Sequence, residues 1–216
     1  MNVLEESSNQ QFRLIAPGPE MDEASANRCL ESVERATQNA DYLVLSGSLP
    51  PGLPDDFYAS VTQRTPSGCR VIVDASGPAL HNAMQGHPYL IKPNLRELSQ
   101  LSDRKLSGDE EIIAAARDFI DRRLTDVVVV SIGAAGAMLV TAERAENVRS
   151  PTVRIRSKIG AGDSMLGGLI SRLVRGDGLL AAVRFGVAAG AAAVMTSGSS
   201  LCCPDETQRL YDASFT

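Results

Sequence analysis

A chain of 216 residues, 44% hydrophobic and 22% charged, can bury one sizeable core, and at about 150 residues per domain it is short for two. Its formal charge of −5, without a run of like charge, argues against nucleic acid as a partner, because phosphate backbones are met by clustered Lys and Arg. No apolar tract reaches a membrane span, the N-terminus lacks a basic-then-apolar signal region, and Cys29, Cys69, Cys202 and Cys203 lack metal spacing, so reduced structural thiols in a soluble cytoplasmic protein without membrane contact are expected.

Residues 3–16 alternate loosely and predict a strand or hairpin closing at Pro17-Gly18-Pro19. A lone hairpin is marginally stable in water, so its pairing partners are expected from elsewhere, a second subunit included. From Asp22, a capping residue, to about Ala40 the pattern is helical, with Leu30, Val33 and Ala36 on one side. Tyr42–Ser46 is a short apolar run of the kind found in strands covered on both faces, and it leads into Gly47–Gly52. The cycle repeats as a helix near Pro54–Gln63, a strand over Arg70–Asp74 and a loop at Ala75–Pro78. It repeats again as Ala79–Met84, a strand over Tyr89–Lys92 and the segment Pro93–Glu97.

Ser107-Gly108-Asp109-Glu110 has the spacing of a capping box, ahead of a helix reaching about Arg123. Asp126–Ser131 is the most strand-like segment and ends in Gly133-Ala134-Ala135-Gly136. An antiparallel pair is predicted at Ala137–Thr141 and Thr152–Ile155, then helices over Asp163–Arg175, Leu179–Met195 and Asp205–Tyr211. Strand, loop and helix in repetition predict a mostly parallel, doubly wound α/β sheet with helices on both faces. Ligands of such sheets bind at the carboxyl ends of the strands, which directs attention to the loops at 46–52, 74–77, 92–97, 131–136 and 160–163.

The last of these loops carries the most chemistry. In Ser157-Lys158-Ile159-Gly160-Ala161-Gly162-Asp163-Ser164 the glycines allow a tight turn, and Asp163 opens an apolar helix. Backbone N–H groups at a helix start attract anions, and a carboxylate beside them can accept a proton from an incoming hydroxyl. That combination suits phosphoryl transfer. Taken alone, the same residues would also serve as a glycine turn with an Asp cap.

Six segments decide between these readings: SGSLPPG at 46–52, VDASG at 73–77, KPNLREL at 92–98, VVVSIGAAGA at 128–137, GAGDS at 160–164 and RFGVAAGAAA at 184–193. In this order they resemble the PfkB-type sugar kinases of the ribokinase superfamily, most closely the hexose-phosphate branch with phosphofructokinases and tagatose-6-phosphate kinase. The resemblance implies a ribokinase-like α/β fold and transfer of a phosphoryl group from ATP, with Mg2+, to a sugar phosphate. Asp163 would be the general base that meets the sugar hydroxyl, with Gly160, Ala161 and Gly162 as the anion hole. Lys92, Asn94 and Glu97 would lie beside the nucleotide phosphates, Asn94 and Glu97 holding magnesium through its water shell. Ser131, Gly133, Gly136 and Ser157 would line the nucleotide, and Val187, Ala188, Gly190 and Ala191 the adenine. Ser48 would touch the sugar. A monovalent cation, K+ for instance, would take Ser157, Ile159, Ala193, Thr196, Gly198 and Ser200.

The sequence departs from the family in three places. Lys158 stands where Thr or another small residue is usual, so that its cation would either assist the nucleotide phosphates or crowd the site, and Thr196–Ser200 lacks the Asn and Arg common in the phosphofructokinase branch. Family members also carry upstream strands with most of the sugar pocket. Residues 1–20 are therefore expected to be a remnant of lid strands, and 21–216 the nucleotide-binding and catalytic α/β domain, with the N-terminal strands and most of the lid missing. The truncated lid is compatible with a homodimer. The competing expectation is a catalytically silent domain that keeps nucleotide binding or serves assembly.

Overall fold

The computed structural model describes residues 2–5, 10–13, 17–197 and 200–215, the first two stretches by their backbone alone. The chain divides into two compact units, each discontinuous in sequence. One holds Pro19–Gly133 and Ala137–Asn147, and the other holds the described residues up to Gly18, Ala134–Gly136 and those from Val148 onward. The segment expected as one domain from residue 21 therefore contributes to both.

The chain begins with the antiparallel hairpin of β1 (Asn2–Glu5) and β2 (Gln10–Arg13), which pairs Asn2 with Arg13 and Glu5 with Gln10. Helix α1 (Glu23–Ala36) follows, capped by the Asp22 carboxylate, whose Oδ1 accepts the Ser25 N–H at 2.8 Å. The sheet then runs β3 (Tyr42–Ser46), β4 (Arg70–Asp74), β5 (Leu90–Ile91), β6 (Val127–Ser131), β7 (Gly136–Val140), β8 (Ala145–Arg149), in that spatial order. Neighbours from β3 to β6 are parallel, and β7 turns back antiparallel to β6. Parallel neighbours need crossovers, and α2 (Phe57–Arg64), α3 (Gly77–Ala83), α4 (Leu95–Ser102) and α5 (Asp109–Asp121) supply them. Central strands of this kind are covered by helices, which is why they read as unbroken apolar runs. Ile72, Val73, Leu90, Ile91 and Val128–Val130 are all fully buried, at about 1.5–3 kcal/mol for each side chain removed from water.

The second unit carries three helices, α6 (Ala161–Val174), α7 (Leu179–Val194) and α8 (Pro204–Phe215). Small residues bring α6 and α7 close: a Cβ on Gly186 would stand 2.6 Å from the Met165 carbonyl oxygen, and one on Gly168 2.7 Å from the Ala189 Cβ. Helix α8 is fixed by Arg172, which lies 4.0 Å over the Phe185 ring and donates to Gln208 Oε1 at 2.8 Å.

Several expectations need correction. β3 is an edge strand with Val44 37% exposed, so it is covered far less than the apolar run predicted. On α1 the inward stripe is Ala26, Cys29, Leu30 and Val33, while Ala36 faces water. The capping box at Ser107–Glu110 does not form; Gly108 precedes α5 without a side-chain cap. The partner of β7 is Ala145–Arg149, whereas Thr152–Ile155 has no regular structure. Helix α8 extends four residues past Tyr211, to Phe215.

Candidate active site

In the sheet unit the carboxyl ends of the parallel strands gather the first set of predicted residues. Lys92 follows directly on β5 and is 4% exposed, its Nζ 3.0 Å from Asp74 Oδ1 at the end of β4. Two residues on, Asn94 and Glu97 form the capping box that the sequence suggested elsewhere: Asn94 Oδ1 accepts the Glu97 N–H at 2.9 Å, and Glu97 Oε2 accepts the Asn94 N–H at 2.8 Å. The two side chains are thereby fixed on the first turn of α4, and both offer oxygen, the donor type that magnesium prefers. Ser131 lies beside Asn94 through a parallel bridge, with the Ser131 N–H donating to Pro93 O at 2.9 Å. Gly133, with φ of +60°, starts the short turn after β6.

Ser48 is exposed in the loop after β3. That loop is held by the Gly47 N–H, which donates to Asp74 O at 3.0 Å, and by the Tyr58 hydroxyl, which lies 3.2 Å from Ser46 O and 3.3 Å from Gly47 O. Asp74 was not singled out by the sequence, although its loop was. The available signal was a carboxylate at one strand end facing a lysine at the next.

In the helical unit the GAGD segment forms the start of α6. Gly160 is the N-cap in the left-handed region, φ 76°, and the Ser164 N–H makes the first helical bond, to Gly160 O at 2.8 Å. The N–H groups of Ala161, Gly162 and Asp163 come before that bond, where a helix supplies no carbonyl partner. The helix thus begins two residues earlier than predicted, and Asp163 sits exposed on its first turn. Leu201 covers Gly160, with its Cδ2 2.9 Å from where a Cβ would be, and the Cys202 N–H donates to Ser164 Oγ at 3.3 Å.

The segment leading in is anchored on the end of α7. The Arg156 and Ser157 N–H groups both donate to Val194 O, at 2.7 and 3.2 Å, and the buried Ser157 accepts the Ile159 N–H at its Oγ. Lys158 is exposed beside it. Val187, Ala188 and Ala191 are buried on α7, Ala188 and Ala191 in the cluster that includes Leu210 of α8, while Gly190 lets Ala161 O of α6 approach to 3.1 Å of where its Cβ would be. Thr196 Oγ1 lies 2.8 Å from Ala193 O and 2.7 Å from Ser200 O, which brings together three members of the predicted cation set; Gly198 lies outside the described residues. Gly136, φ +105°, admits no side chain, since a Cβ would run into Val148 O. Cys29, Cys69, Cys202 and Cys203 are free thiols.

Residues 2–206 match the family model described as pfkB family carbohydrate kinase. The chain is 38% identical over 213 residues to ATP-dependent 6-phosphofructokinase isozyme 2 of Escherichia coli, covering 98% of this chain and 69% of that protein. It is 36% identical over 201 residues to 1-phosphofructokinase of Rhodobacter capsulatus, covering 92% of this chain and 62% of that one. A crystal structure of phosphofructokinase-2 from Escherichia coli in complex with potassium superposes with a TM-score of 0.93 at 37% identity, covering 100% of this chain and 70% of that one. The chain thus spans about two thirds of the length of these relatives.

Proposed function

The chain belongs to the pfkB family of carbohydrate kinases, and from that premise we propose that it transfers a phosphoryl group from ATP to a hydroxyl of a phosphorylated hexose, as a 6-phosphofructokinase or 1-phosphofructokinase does. The observation that carries the proposal is the start of α6, where a left-handed Gly160 opens a turn whose N–H groups precede the first helical bond and an exposed Asp163 stands among them. Donors set in advance toward developing negative charge are the largest single contribution to such catalysis. Asp163 accepts the proton of the sugar hydroxyl as its oxygen attacks phosphorus, and the backbone of Gly160, Ala161 and Gly162 receives the transferring group.

Lys92 takes up phosphate charge, and Asn94 with Glu97, their oxygens fixed by the capping box, suits a hydrated magnesium ion. Magnesium bound with ATP offsets charge on the phosphates. Ser157 and Lys158 attend the phosphates, Ser131, Gly133 and Gly136 the nucleotide, Val187, Gly190 and Ala191 the adenine, and Ser48 the sugar. A monovalent cation fits the oxygens of Ala193, Thr196 and Ser200, an all-oxygen set, and the Escherichia coli relative has been crystallised with potassium. A homodimer belongs to the same reading, since a two-stranded sheet such as β1 with β2 is marginal alone.

The test separates binding from transfer. Asp163→Asn keeps the fold and magnesium–ATP binding, and lowers transfer to a hexose phosphate by at least ~10²–10⁴, the contribution of a general base. Unchanged transfer in the variant contradicts the role.

A further inference from the structure

We propose that Asp74 is a positioning residue, whose carboxylate holds the Lys92 ammonium in the orientation from which it meets nucleotide phosphate. The proposal rests on the reading of Lys92 as a phosphate ligand. Register brings the two groups together: Val73 pairs with Ile91 in the parallel β4–β5 ladder, and the Lys92 N–H donates to Val73 O at 2.9 Å. Asp74 and Lys92 are the next residues on each strand, and their side chains meet at 3.0 Å with 17% and 5% exposure.

Stability alone does not call for such a pair. Removing charges from water costs several kcal/mol per ion, and buried pairs of this kind are replaceable by apolar residues with little loss or with gain. A role at the strand ends gives the pair a reason. Lysine has a flexible four-carbon stem, and much of its rotamer freedom must be surrendered before it can hold a phosphate. The bond to Asp74 makes that surrender in the folded protein, ahead of binding, which is how preorganisation raises affinity. An ammonium has three donors, so one directed at Asp74 leaves two for phosphate oxygens. The carboxylate belongs to the strand end from which the Gly47 N–H is also held, so the anchor is itself tied to the neighbouring loop.

The experiment is equilibrium binding of magnesium–ATP and of adenosine to the 216-residue chain. It compares the wild type with Asp74→Ala, Asp74→Asn, Lys92→Met and the Asp74→Ala/Lys92→Met double variant, with thermal unfolding of each. Asp74→Ala is expected to weaken magnesium–ATP at least about tenfold, as loss of a hydrogen bond to a charged group does, and to leave adenosine unchanged. In the Lys92→Met background it is expected to change neither ligand. Should Asp74→Ala fail to fold, Asp74→Asn, which keeps an acceptor oxygen without the charge, decides by the same comparison with a smaller loss. Equal loss of ATP and adenosine, or an undiminished loss in the Lys92→Met background, overturns the positioning role. If Lys92→Met weakens magnesium–ATP but neither Asp74 variant does, positioning alone is overturned; if Lys92→Met has no effect, the phosphate reading of Lys92 falls with it.

Discussion

Tyr58 shows how a single residue far from any predicted chemistry supports the loop that carries it. Its ring is buried on α2 and its hydroxyl reaches the carbonyls of Ser46 and Gly47, just ahead of Ser48. Burial pushes the Tyr58 phenol above its ordinary 10.0, and does the same for Tyr89 and, above 9.0, for the Cys69 thiol. For Tyr89 the Arg70 guanidinium 4.7 Å over its ring pulls the other way, and for Cys69 the Asp41 charge adds to burial. All three groups are neutral when protonated, and folding favours that form. Their stabilisation is therefore fully present below the unfolded values and is lost as pH rises through the raised folded ones. The melting temperature is expected to hold at neutral pH and to fall from about pH 9 upward, less steeply in Tyr58→Phe. At pH 7 that substitution costs about 1 kcal/mol, the net worth of one hydrogen bond. A flat melting profile to pH 11 contradicts this account. Tyr58 carries no signal in the sequence, and Asp74 only that of a carboxylate at a strand end, because each acts on a residue of a neighbouring strand or its loop, and register is a property of the assembled sheet.

At the scale of elements, the paired helices α6 and α7 make opposite demands on their glycines. Gly167 faces water with nothing within 4 Å of a Cβ, whereas Gly186 on α7 lies against the α6 backbone. Gly167→Ala should raise stability by ~0.5–1 kcal/mol through helix propensity and a less flexible unfolded chain. Gly186→Ala should lower it by ~1–3 kcal/mol through overpacking. Denaturant midpoints measure both, and a shift of the same sign in the two variants would refute close α6–α7 packing. Periodicity predicted these helices within a residue or two at most ends. It misplaced β8, because Thr-Val-Arg-Ile at 152–155 has strand-forming side chains and Ala145–Arg149 has few. The tight turn decides instead: the Thr141 N–H donates to Arg144 O at 2.9 Å, and Thr141 Oγ1 accepts the N–H groups of Glu143 and Arg144. The capping box was misplaced for a similar reason. Ser107 and Glu110 have the spacing, but α5 starts one residue later than that spacing requires, while Asn94 and Glu97 meet it at the start of α4.

For the whole molecule, the α/β class and the mostly parallel sheet were legible because strand, loop and helix recur with apolar strands that only a helix-covered sheet can hide. The division into two discontinuous units was not, since Ala134–Gly136 and the residues from Val148 separate from their sequence neighbours only by contacts distant in the chain. The functional reading depends on residues from both units carrying the roles assigned to them, and one measurement addresses it most directly. ADP release by the purified 216-residue chain, with magnesium and ATP, is followed against a panel of hexose phosphates beside the Asp163→Asn variant. Release that depends on one sugar phosphate and disappears in the variant is the predicted result. Release that is indifferent to sugar, or equal in the two proteins, or absent from a chain shown to be folded and to bind ATP, would contradict the proposed activity of this chain.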